Sequence, residues 1–218
     1  MKKTPVVVIV GPTAVGKTKT GIELAKAFDG EIVSGDSVQV YRGMDIGSAK
    51  VTKEEAEGIP HHLIDICDPD DAMSVAAFQQ LARAAIDDIY ARGKLPIIVG
   101  GTGLYIRSIL YDYEFVERPV DEALRADLER LAEVEGREAL HQRLVQLDPE
   151  RAATIHPNNV RRVVRALEVA MQGDTQTTDS APSEHYDYRL FVLHADRELL
   201  YDRINQRVDA MMEAGLVE

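Results

Sequence analysis

The residues GPTAVGKT, from Gly11 to Thr18, constrain the fold of this chain more than any other stretch. They fit the pattern G-x-x-x-x-G-K-[ST], in which glycines let backbone N–H groups close around phosphate oxygens and a helix N-terminus adds positive potential. The preceding VVVIV is an unbroken β-branched run typical of a buried parallel strand, and the following KTKTGIELAKAF carries apolar residues at helical spacing. This context favours a phosphate-binding loop, and the alternative is a chance match in an ordinary connection.

The lysine and the hydroxyl residue that end this loop carry its chemistry. Lys17 neutralises phosphate charge, and the Thr18 hydroxyl has the position that holds Mg²⁺ in loops of this pattern. The pattern alone leaves open which phosphate compound is bound. The residues that it places around the phosphate groups are Gly11, Pro12, Thr13, Ala14, Val15, Gly16, Lys17 and Thr18.

The features that accompany such a loop in nucleotide hydrolases are missing from their expected places. A hydrolase pairs the loop with an apolar strand that ends in Asp, which supports the metal ion and its water. The candidate strand LPIIV is followed by Gly100 and Gly101 instead, and the guanine-reading pattern N-K-x-D does not occur in the sequence. A signalling GTPase is therefore disfavoured.

Strand-like and helix-like segments alternate through the first half of the chain. After the loop helix, GEIVSGDS predicts a second strand ending at Asp36, HHLIDI predicts a third, and LPIIVGGTGLY predicts a fourth. Between the last two strands we expect a helix with Ser74 as its N-cap and Gly93 as its terminator. This alternation predicts an α/β fold, a P-loop NTPase-like parallel sheet with helices on both faces.

From about Pro119 to Gln172 the pattern changes to consecutive amphipathic helices. Strand character returns at YRLFVLHA, followed by a helix that is predicted to run to the last residue. We therefore expect a core over residues 1–115, an all-helical insertion over 116–180, and a return to the core, as a strand and a helix, over 181–218. Because the last helix lacks a terminating signal, we also expect the chain to be truncated at its C-terminus.

Composition narrows the setting and the partners. The formal net charge of -12 disfavours a protein that binds nucleic acid nonspecifically over its whole surface. The segment HPNNVRRVVRALEVA nevertheless forms a local basic patch. The single Cys67 cannot form an intramolecular disulfide, which favours a reducing, cytoplasmic location. No run of about 18 apolar residues occurs, so we expect no membrane span. We also expect a monomer.

Several segments taken together resemble one family. GPTAVGKT, SGDSVQVYRGMDIGSAK, IPHHLID, VGGTGLYI and IHPNNVRRVVRALEV, in this order, closely resemble the tRNA dimethylallyltransferases, and the resemblance covers essentially the whole chain. It implies transfer of a dimethylallyl group from dimethylallyl diphosphate to N6 of an adenosine beside the anticodon in tRNA, with release of diphosphate. The loop would then cradle the diphosphate of the donor with Mg²⁺, and no nucleotide need bind.

The acceptor amine of adenine must lose a proton as it attacks the allylic carbon. Asp36, at the carboxyl end of a predicted strand and close in topology to the phosphate loop, is well placed as general base, and a metal-supporting or helix-capping acid is the alternative. The resemblance gives Asp36 the role of base and makes Thr102 a tRNA contact near the reacting adenosine; the alternative for Thr102 is a loop threonine that bonds its own backbone. The predicted catalytic residues are Asp36, Lys17, Thr18 and Thr102.

The predicted helical insertion supplies RNA-binding side chains, because a stacked base has to be held and extruded before it can react. The arginines of NNVRRVVR cannot all face one way on a helix, so we favour Arg162 and Arg165 over Arg161 as tRNA contacts. The residues predicted to contact tRNA, chiefly its anticodon stem-loop, are Asp36, Ser37, Val38, Gln39, Thr102, Arg125, Asn158, Asn159, Arg161, Arg162 and Arg165.

A few residues and functions have competing interpretations. Arg197 and Arg203 are candidates for stabilising the departing diphosphate, with solvated surface arginines as the alternative. His61 and His62 are adjacent in a strand-like segment and have no Cys/His cluster beside them, so we expect structural or polar roles. The competing functions are a prenyltransferase acting on free adenine nucleotides, a small-molecule kinase, and a nucleotide-dependent RNA-binding switch.

Overall fold

Parallel strands form a five-stranded sheet in the first part of the chain and after the helical segment. The strands are β1 (Thr4–Val10), β2 (Gly30–Ser34), β3 (His61–His62), β4 (Leu95–Gly100) and β5 (Tyr186–Val192), in the order β3-β2-β4-β1-β5. The pairings between them are parallel, with Ile98 of β4 beside Val8 of β1 and Val33 of β2. The computed structural model describes residues 3–111, 113, 121–171 and 181–217.

The helices fall into two groups that follow the division of the chain into two compact units. One unit comprises Met1–Phe115 and Ser180–Glu218, and the other comprises Val116–Asp179. The first unit holds the sheet with α1 (Lys17–Phe28), α2 (Lys53–Ala56), α3 (Val75–Ala91), α4 (Gly103–Leu110) and α9 (Arg197–Glu213). The second holds α5 (Glu122–Val134), α6 (Arg137–Leu147), α7 (Pro149–Ala153) and α8 (Val160–Met171).

Both faces of the sheet are covered, because side chains alternate between faces along each strand. On one face Val8, Val33 and Ile98 join a buried cluster with residues of α3 and α4, including Phe78. On the other face Ile9, Ile32 and Ile97 pack with residues of α1 such as Ile22 and Ala25. The prediction of a parallel α/β sheet with helices on both faces is confirmed.

Local sequence signals predicted the bounds of helix α3 accurately. Helix α3 begins after Ser74, whose side chain accepts a hydrogen bond from the Ala77 backbone N–H, and it ends just before Gly93, which has a φ of 78°. The polar stretch between β2 and β3 is mostly loop and contains one short helix, α2. Helix α2 is closed by a capping box between Thr52 and Glu55.

Three element boundaries differ from the prediction. Strand β2 ends at Ser34, two residues before Asp36, so Asp36 lies on the following turn. Strand β3 is only His61–His62, because Leu63 takes a left-handed φ of 64° that ends the extended backbone. Helix α9 ends at Glu213 rather than at the last residue.

The last strand is packed differently from the others. Of β5, only Tyr186 is buried, whereas Leu190, Phe191 and Val192 are exposed. Helix α9 buries none of its residues. The edge of the sheet at β5 therefore carries apolar surface that the described residues leave uncovered.

The second unit has an apolar core of its own. Its largest fully buried side chains are Leu140, Leu144 and Leu167, and Leu128 of α5 joins the same cluster. Buried among these apolar groups lies one carboxylate, that of Glu168, with a side chain only 3% exposed. Such a charge needs ionic partners, and the arginines of this unit supply them.

Within the part of the chain that the structure describes, no helix combines the length and the apolar character that crossing a bilayer requires.

Candidate active site at the carboxyl ends of the parallel strands

The order of the strands brings three connecting loops together. Because β2, β4 and β1 are neighbours and parallel, the loops that follow them leave the same edge of the sheet. These loops contain the glycine-rich motif after β1, Asp36 after β2, and Thr102 after β4. The predicted catalytic residues therefore share one edge of the first unit.

Backbone torsion angles give the glycine-rich loop its shape. Gly16 has a φ of 100° and stands at the N-cap of α1, and Ala14 also has a positive φ of 63°. No side chain caps α1, so the first N–H groups of the helix stay available. A helix N-terminus with available N–H groups is a ready site for phosphate oxygens.

Lys17 lies across this loop with its charge uncompensated. Its Nζ donates hydrogen bonds to the carbonyl oxygens of Gly11 (2.9 Å) and Pro12 (2.8 Å), and it forms no ion pair with a described residue. Burial lowers the pKa of Lys17, the nearby Asp36 carboxylate opposes this shift, and the positive charge of Arg207 adds to it. An anion bound at the loop would relieve that cost, because it would supply the missing negative charge.

Asp36 shapes the turn that follows β2. Its Oδ1 accepts hydrogen bonds from the backbone N–H groups of Val38 (2.8 Å) and Gln39 (3.3 Å). Among the described residues no donor reaches the second oxygen, Oδ2. The half-buried carboxylate thus has one oxygen that orients it and a second that is available to a ligand.

Thr102 joins the turn after β2 to the loop after β4. It is the N-cap residue of α4 but makes no capping hydrogen bond. Its hydroxyl instead accepts from the Ser37 N–H (3.1 Å) and donates to the Ser37 Oγ (3.3 Å). The alternative of a threonine that bonds the backbone of its own loop is therefore wrong for this structure, since its partner is on another loop.

Glycines allow these two strand ends to approach each other. A Cβ built on Gly100 would lie 2.3 Å from the Gly35 carbonyl oxygen, closer than real contacts allow. Gly35 also donates its N–H to the Val99 carbonyl at 2.8 Å. Gly100, the first of the two glycines found where a hydrolase would have Asp, thus allows the close packing of β4 against the Asp36 turn.

A cluster of hydrogen bonds fixes the loop between Gln39 and Lys50, and sequence analysis did not single it out. The Lys50 side chain is only 6% exposed, and its Nζ donates to the Tyr41 carbonyl (2.8 Å) and to the carboxylates of Asp45 and Asp65 (2.5 Å each). Burial lowers the pKa of Lys50, but these two carboxylates outweigh burial and the pKa is raised. Gln39 Nε2 adds a hydrogen bond to the Ser48 carbonyl at 3.3 Å.

An open cleft runs along the glycine-rich loop. Its volume is about 580 Å³. Two residues of α9 border this region, since Arg203 donates to the Ala14 carbonyl (3.4 Å) and Arg207 lines the cleft and donates to the Ser48 carbonyl (3.5 Å). Arg197 instead lies over the ring of Tyr201, 5.7 Å from its centroid. The residues that line the cleft are Ala14, Gly16, Lys17, Thr18, Lys19, Ile22, Ala49, Val51, Glu55, Glu57 and Arg207.

Sequence analysis missed Arg207. Its signal was the spacing from Arg203, because residues four positions apart lie on the same face of a helix. The two side chains therefore present cationic groups to the same side of the first unit, near the phosphate loop.

The predicted tRNA contacts of the insertion all lie in the second unit, and the structure divides their arginines into two kinds. The buried Glu168 accepts hydrogen bonds from Arg125 Nε (2.8 Å) and Arg165 Nη1 (3.1 Å). Burial raises the pKa of Glu168, but the two guanidinium groups outweigh it and the pKa is lowered. Arg161 and Arg162 are exposed and form no ion pair among the described residues. Asn158 and Asn159 are exposed as well.

The two adjacent histidines do point into different surroundings. His62 Nε2 lies 2.7 Å from the Glu31 carboxylate, which also accepts from Arg92 Nη1 (2.5 Å). The Arg92 hydrogen bond lowers the pKa of Glu31 to about 2, with burial opposing it and His62 assisting. His61 Nδ1 lies 2.8 Å from the Ile59 carbonyl. Polar, structural contacts thus account for the His62 ring.

The donor groups at the cleft suit Mg²⁺ bound together with a phosphate compound. Within the described ranges no cluster of His, Cys, Asp or Glu could hold a metal ion by itself. In such sites Mg²⁺ keeps several waters and is bound by few protein oxygens together with substrate phosphates. The Thr18 hydroxyl lines the cleft beside Lys17 and is an oxygen donor of this kind.

These features define a P-loop-like α/β protein with an acid, Asp36, on the turn after β2, two strands from β1 in the sheet. A sequence profile of the family described as IPP transferase matches residues 39–218. A tRNA dimethylallyltransferase of Exiguobacterium sp. is 98% identical over 218 residues, which are 100% of this chain and 70% of that protein. The chain therefore belongs to the IPP transferase family, that of the tRNA dimethylallyltransferases.

Solved structures agree with this assignment. The full-length tRNA isopentenylpyrophosphate transferase of Bacillus halodurans superposes with a TM-score of 0.67 at 51% identity, covering 98% of this chain and 68% of that one. A eukaryotic dimethylallyltransferase, solved acting on tRNA, gives a TM-score of 0.78 at 33% identity, covering 98% and 54%. The shared fold thus extends to a relative of much lower sequence identity.

Proposed function

We propose that this chain transfers the dimethylallyl group of dimethylallyl diphosphate to N6 of an adenosine next to the anticodon in tRNA and releases diphosphate. The names of its relatives support a prenyl transfer to tRNA. The observation that carries the proposal is the placement of Asp36 at the same sheet edge as the uncompensated Lys17, close enough to shift its pKa. Lys17 is suited to binding an anionic leaving group, and Asp36 is suited to accepting a proton.

The glycine-rich loop binds the diphosphate of the donor in this proposal. Negative charge builds up on the bridging oxygen as the donor's C1–O bond breaks, and the leaving diphosphate keeps the electron pair. Preorganised donors at that oxygen lower the barrier. Lys17 and the N–H groups at the start of α1 are such donors, and Arg203 and Arg207 add positive charge from α9.

Asp36 acts as the general base. As N6 of adenine forms its bond to C1 of the donor, its proton passes to the carboxylate of Asp36. The hydrogen bonds from Val38 and Gln39 to Oδ1 hold the carboxylate in place and leave Oδ2 for the amine. Ser37, Val38, Gln39 and Thr102 would line the position of the target base, and the hydrogen bond from Ser37 to Thr102 keeps the two loops in register.

Thr18 would hold Mg²⁺ through its hydroxyl. When bound, the ion supplies positive charge that offsets the developing charge of the leaving diphosphate. Thr18 lines the same cleft as Lys17.

The second unit would hold the anticodon stem-loop. An adenosine in a stacked loop has to be extruded before its amine can react, so the RNA must be gripped on both sides of the base. Arg161, Arg162, Asn158 and Asn159 are exposed and suited to phosphates and base edges. Arg125 and Arg165 share the carboxylate of Glu168, so their contribution to tRNA binding would come from positive charge in excess of that one acid. We place the protein in the cytoplasm as a monomer.

One incubation separates this function from its competitors. The protein is mixed with Mg²⁺, labelled dimethylallyl diphosphate, and either tRNA or AMP, and ATP turnover is followed in parallel. We expect label on tRNA, on an adenosine beside the anticodon, and no ATP turnover. Label on AMP alone would contradict the proposal in favour of an adenylate prenyltransferase, and ATP turnover without label transfer would favour a kinase.

A further inference from the structure

One buried nitrogen near the phosphate loop has no hydrogen-bonding partner. His61 Nδ1 is 2.8 Å from the Ile59 carbonyl, and because a carbonyl only accepts, Nδ1 carries the proton. In the neutral ring Nε2 is then an acceptor. This atom is buried, and no donor among the described residues reaches it. Burial lowers the pKa of His61, which favours the neutral ring.

A small cavity lies beside this histidine. Its volume is about 20 Å³, which is enough for one water molecule. Its polar walls come from His61, Thr18, Ser34 and Gln39, and the hydroxyl of Ser34 is already directed at Gln39 Oε1 at 3.3 Å. The remaining walls are Ile32, Val51 and Val99.

Thr18 is shared by this cavity and the cleft along the phosphate loop, since it lines both spaces. A hydroxyl that binds a metal ion uses a lone pair of its oxygen, and its proton then needs an acceptor on the other side. In nucleotide hydrolases the acid after the apolar strand lies beside the metal ion, but here β4 is followed by Gly101 and Thr102.

We propose that one ordered water in this cavity accepts a hydrogen bond from the Thr18 hydroxyl and donates one to His61 Nε2. His61 is thus a positioning residue, since it turns the Thr18 oxygen towards the cleft without touching the substrate. This inference rests on the proposed function only in what Thr18 holds there, Mg²⁺ with a diphosphate. The water itself depends only on the cavity and on the neutral ring.

The first test is a high-resolution crystal structure of the protein and of His61→Leu. We expect a water within about 3.2 Å of both His61 Nε2 and the Thr18 hydroxyl, with that water absent from the variant. A well-ordered cavity that holds no such water, or a water that makes no contact with His61, would overturn the inference. This readout does not depend on activity, so it can fail or succeed independently of the proposed function.

The second test is calorimetric binding of inorganic diphosphate with and without Mg²⁺. We expect His61→Leu to weaken the Mg²⁺-dependent binding by about tenfold, because residues that orient a metal ligand typically contribute 10- to 100-fold in affinity. Binding without Mg²⁺ should stay within about twofold. His61→Gln, whose amide oxygen can also accept from a water, should retain most of the Mg²⁺-dependent affinity.

The adjacent histidine provides the matched control. His62→Gln makes the same chemical change one residue away, but His62 contacts Glu31 and lines neither space. We expect it to leave diphosphate binding unchanged. In a Thr18→Val background the effect of His61→Leu should vanish, because the two residues act through one chain of hydrogen bonds.

The outcomes separate positioning from folding. The inference would be contradicted if His61→Leu weakened diphosphate binding equally with and without Mg²⁺. It would also be contradicted if the effect of His61→Leu were undiminished in the Thr18→Val background, since either result would show a general structural role. If His61→Leu does not fold, the wild-type crystal structure still decides whether the water contacts both His61 and Thr18. Failure of the wild-type protein to bind diphosphate would contradict the proposed function instead.

Discussion

Two lysines in neighbouring loops of the first unit are held in opposite ways. Lys50, in the loop after β2, donates to one carbonyl and two carboxylates, so its charge is neutralised where it lies. Lys17, in the phosphate loop, donates only to carbonyls of Gly11 and Pro12. Burial lowers the pKa of both lysines. The two bonded carboxylates outweigh this effect at Lys50, whereas at Lys17 the nearby Asp36 only opposes it in part and the pKa stays lowered. The difference marks Lys50 as a structural residue and Lys17 as a binding residue.

The same difference separates the arginines of the second unit. Arg125 and Arg165 are paired with the buried Glu168, whereas Arg161 and Arg162 are exposed and form no ion pair within the described part of the chain. The Arg125–Glu168 pair joins helices α5 and α8, and the Arg165–Glu168 pair lies within α8. The arginines without an ion pair are available to an anion such as RNA phosphate. Residue type and spacing alone do not distinguish the two kinds.

The largest expected effect comes from removing the acid that lies opposite the uncompensated lysine. Asp36→Ala should lower the rate of prenyl transfer by about 10²–10⁴-fold, because general bases contribute on that order. Single-turnover assays with labelled donor measure this, and tRNA binding should be largely intact. A variant with normal turnover and weakened tRNA affinity would show that Asp36 binds RNA and is not the base.

Removal of the uncompensated cation should have the next largest effect. Lys17→Ala should lower kcat/KM for the donor by about 10²–10³-fold, the usual cost of losing one preorganised donor at a developing negative charge. The free energy of unfolding should change little, since Lys17 bonds only carbonyls of its own loop. A large loss of stability with unchanged kinetics would show that Lys17, like Lys50, is a structural residue.

Removal of the neutralised cation should have the reverse signature. Lys50→Met keeps the apolar stem but leaves Asp45 and Asp65 without a partner, so we expect the free energy of unfolding to fall by about 1–3 kcal/mol. Urea unfolding measures this, with the exposed Lys53→Met as a control that should stay within about 0.5 kcal/mol. If Lys50→Met instead keeps its stability and loses donor binding, Lys50 belongs to the site.

The smallest expected effect sharpens the division of the arginines. Arg162→Ala should weaken tRNA binding several-fold for all sequences and reduce the slope of log affinity against log salt by about 1, as for loss of one phosphate contact. Arg165→Ala should mainly reduce stability, because it breaks a bond to Glu168. Filter binding over a range of salt concentrations, together with unfolding curves, would contradict this if the two variants behaved alike.

How much of this site the sequence predicted depends on how local each feature is. The phosphate loop and helix α3 with its Ser74 cap are contiguous patterns, and the structure has them where the sequence predicted them. Strand β3 was overestimated because the left-handed φ of Leu63 leaves no mark in its side chain. Roles for the predicted site residues stay predictions, although their placement at one sheet edge follows from the strand order.

The partners of the charged residues could not be predicted, because they come from distant positions. Lys50 meets Asp65, and Arg125 meets Glu168, only once the chain has folded. Arg207 is an intermediate case. Its spacing from Arg203 is visible in the sequence, but its hydrogen bond to the loop after β2 could not be predicted from it. The sequence shows where cations occur along the chain, but only the fold shows which of them are neutralised.

The central claim is that the phosphate loop holds the diphosphate of a prenyl donor and not a nucleotide. Calorimetry with dimethylallyl thiodiphosphate, an analogue that resists transfer, tests it directly in the presence of Mg²⁺. We predict saturable binding that Lys17→Ala weakens by about 10²-fold or more and that an equal concentration of ATP does not displace. Displacement of the analogue by ATP at equal concentration, with ATP bound more tightly, would contradict the account.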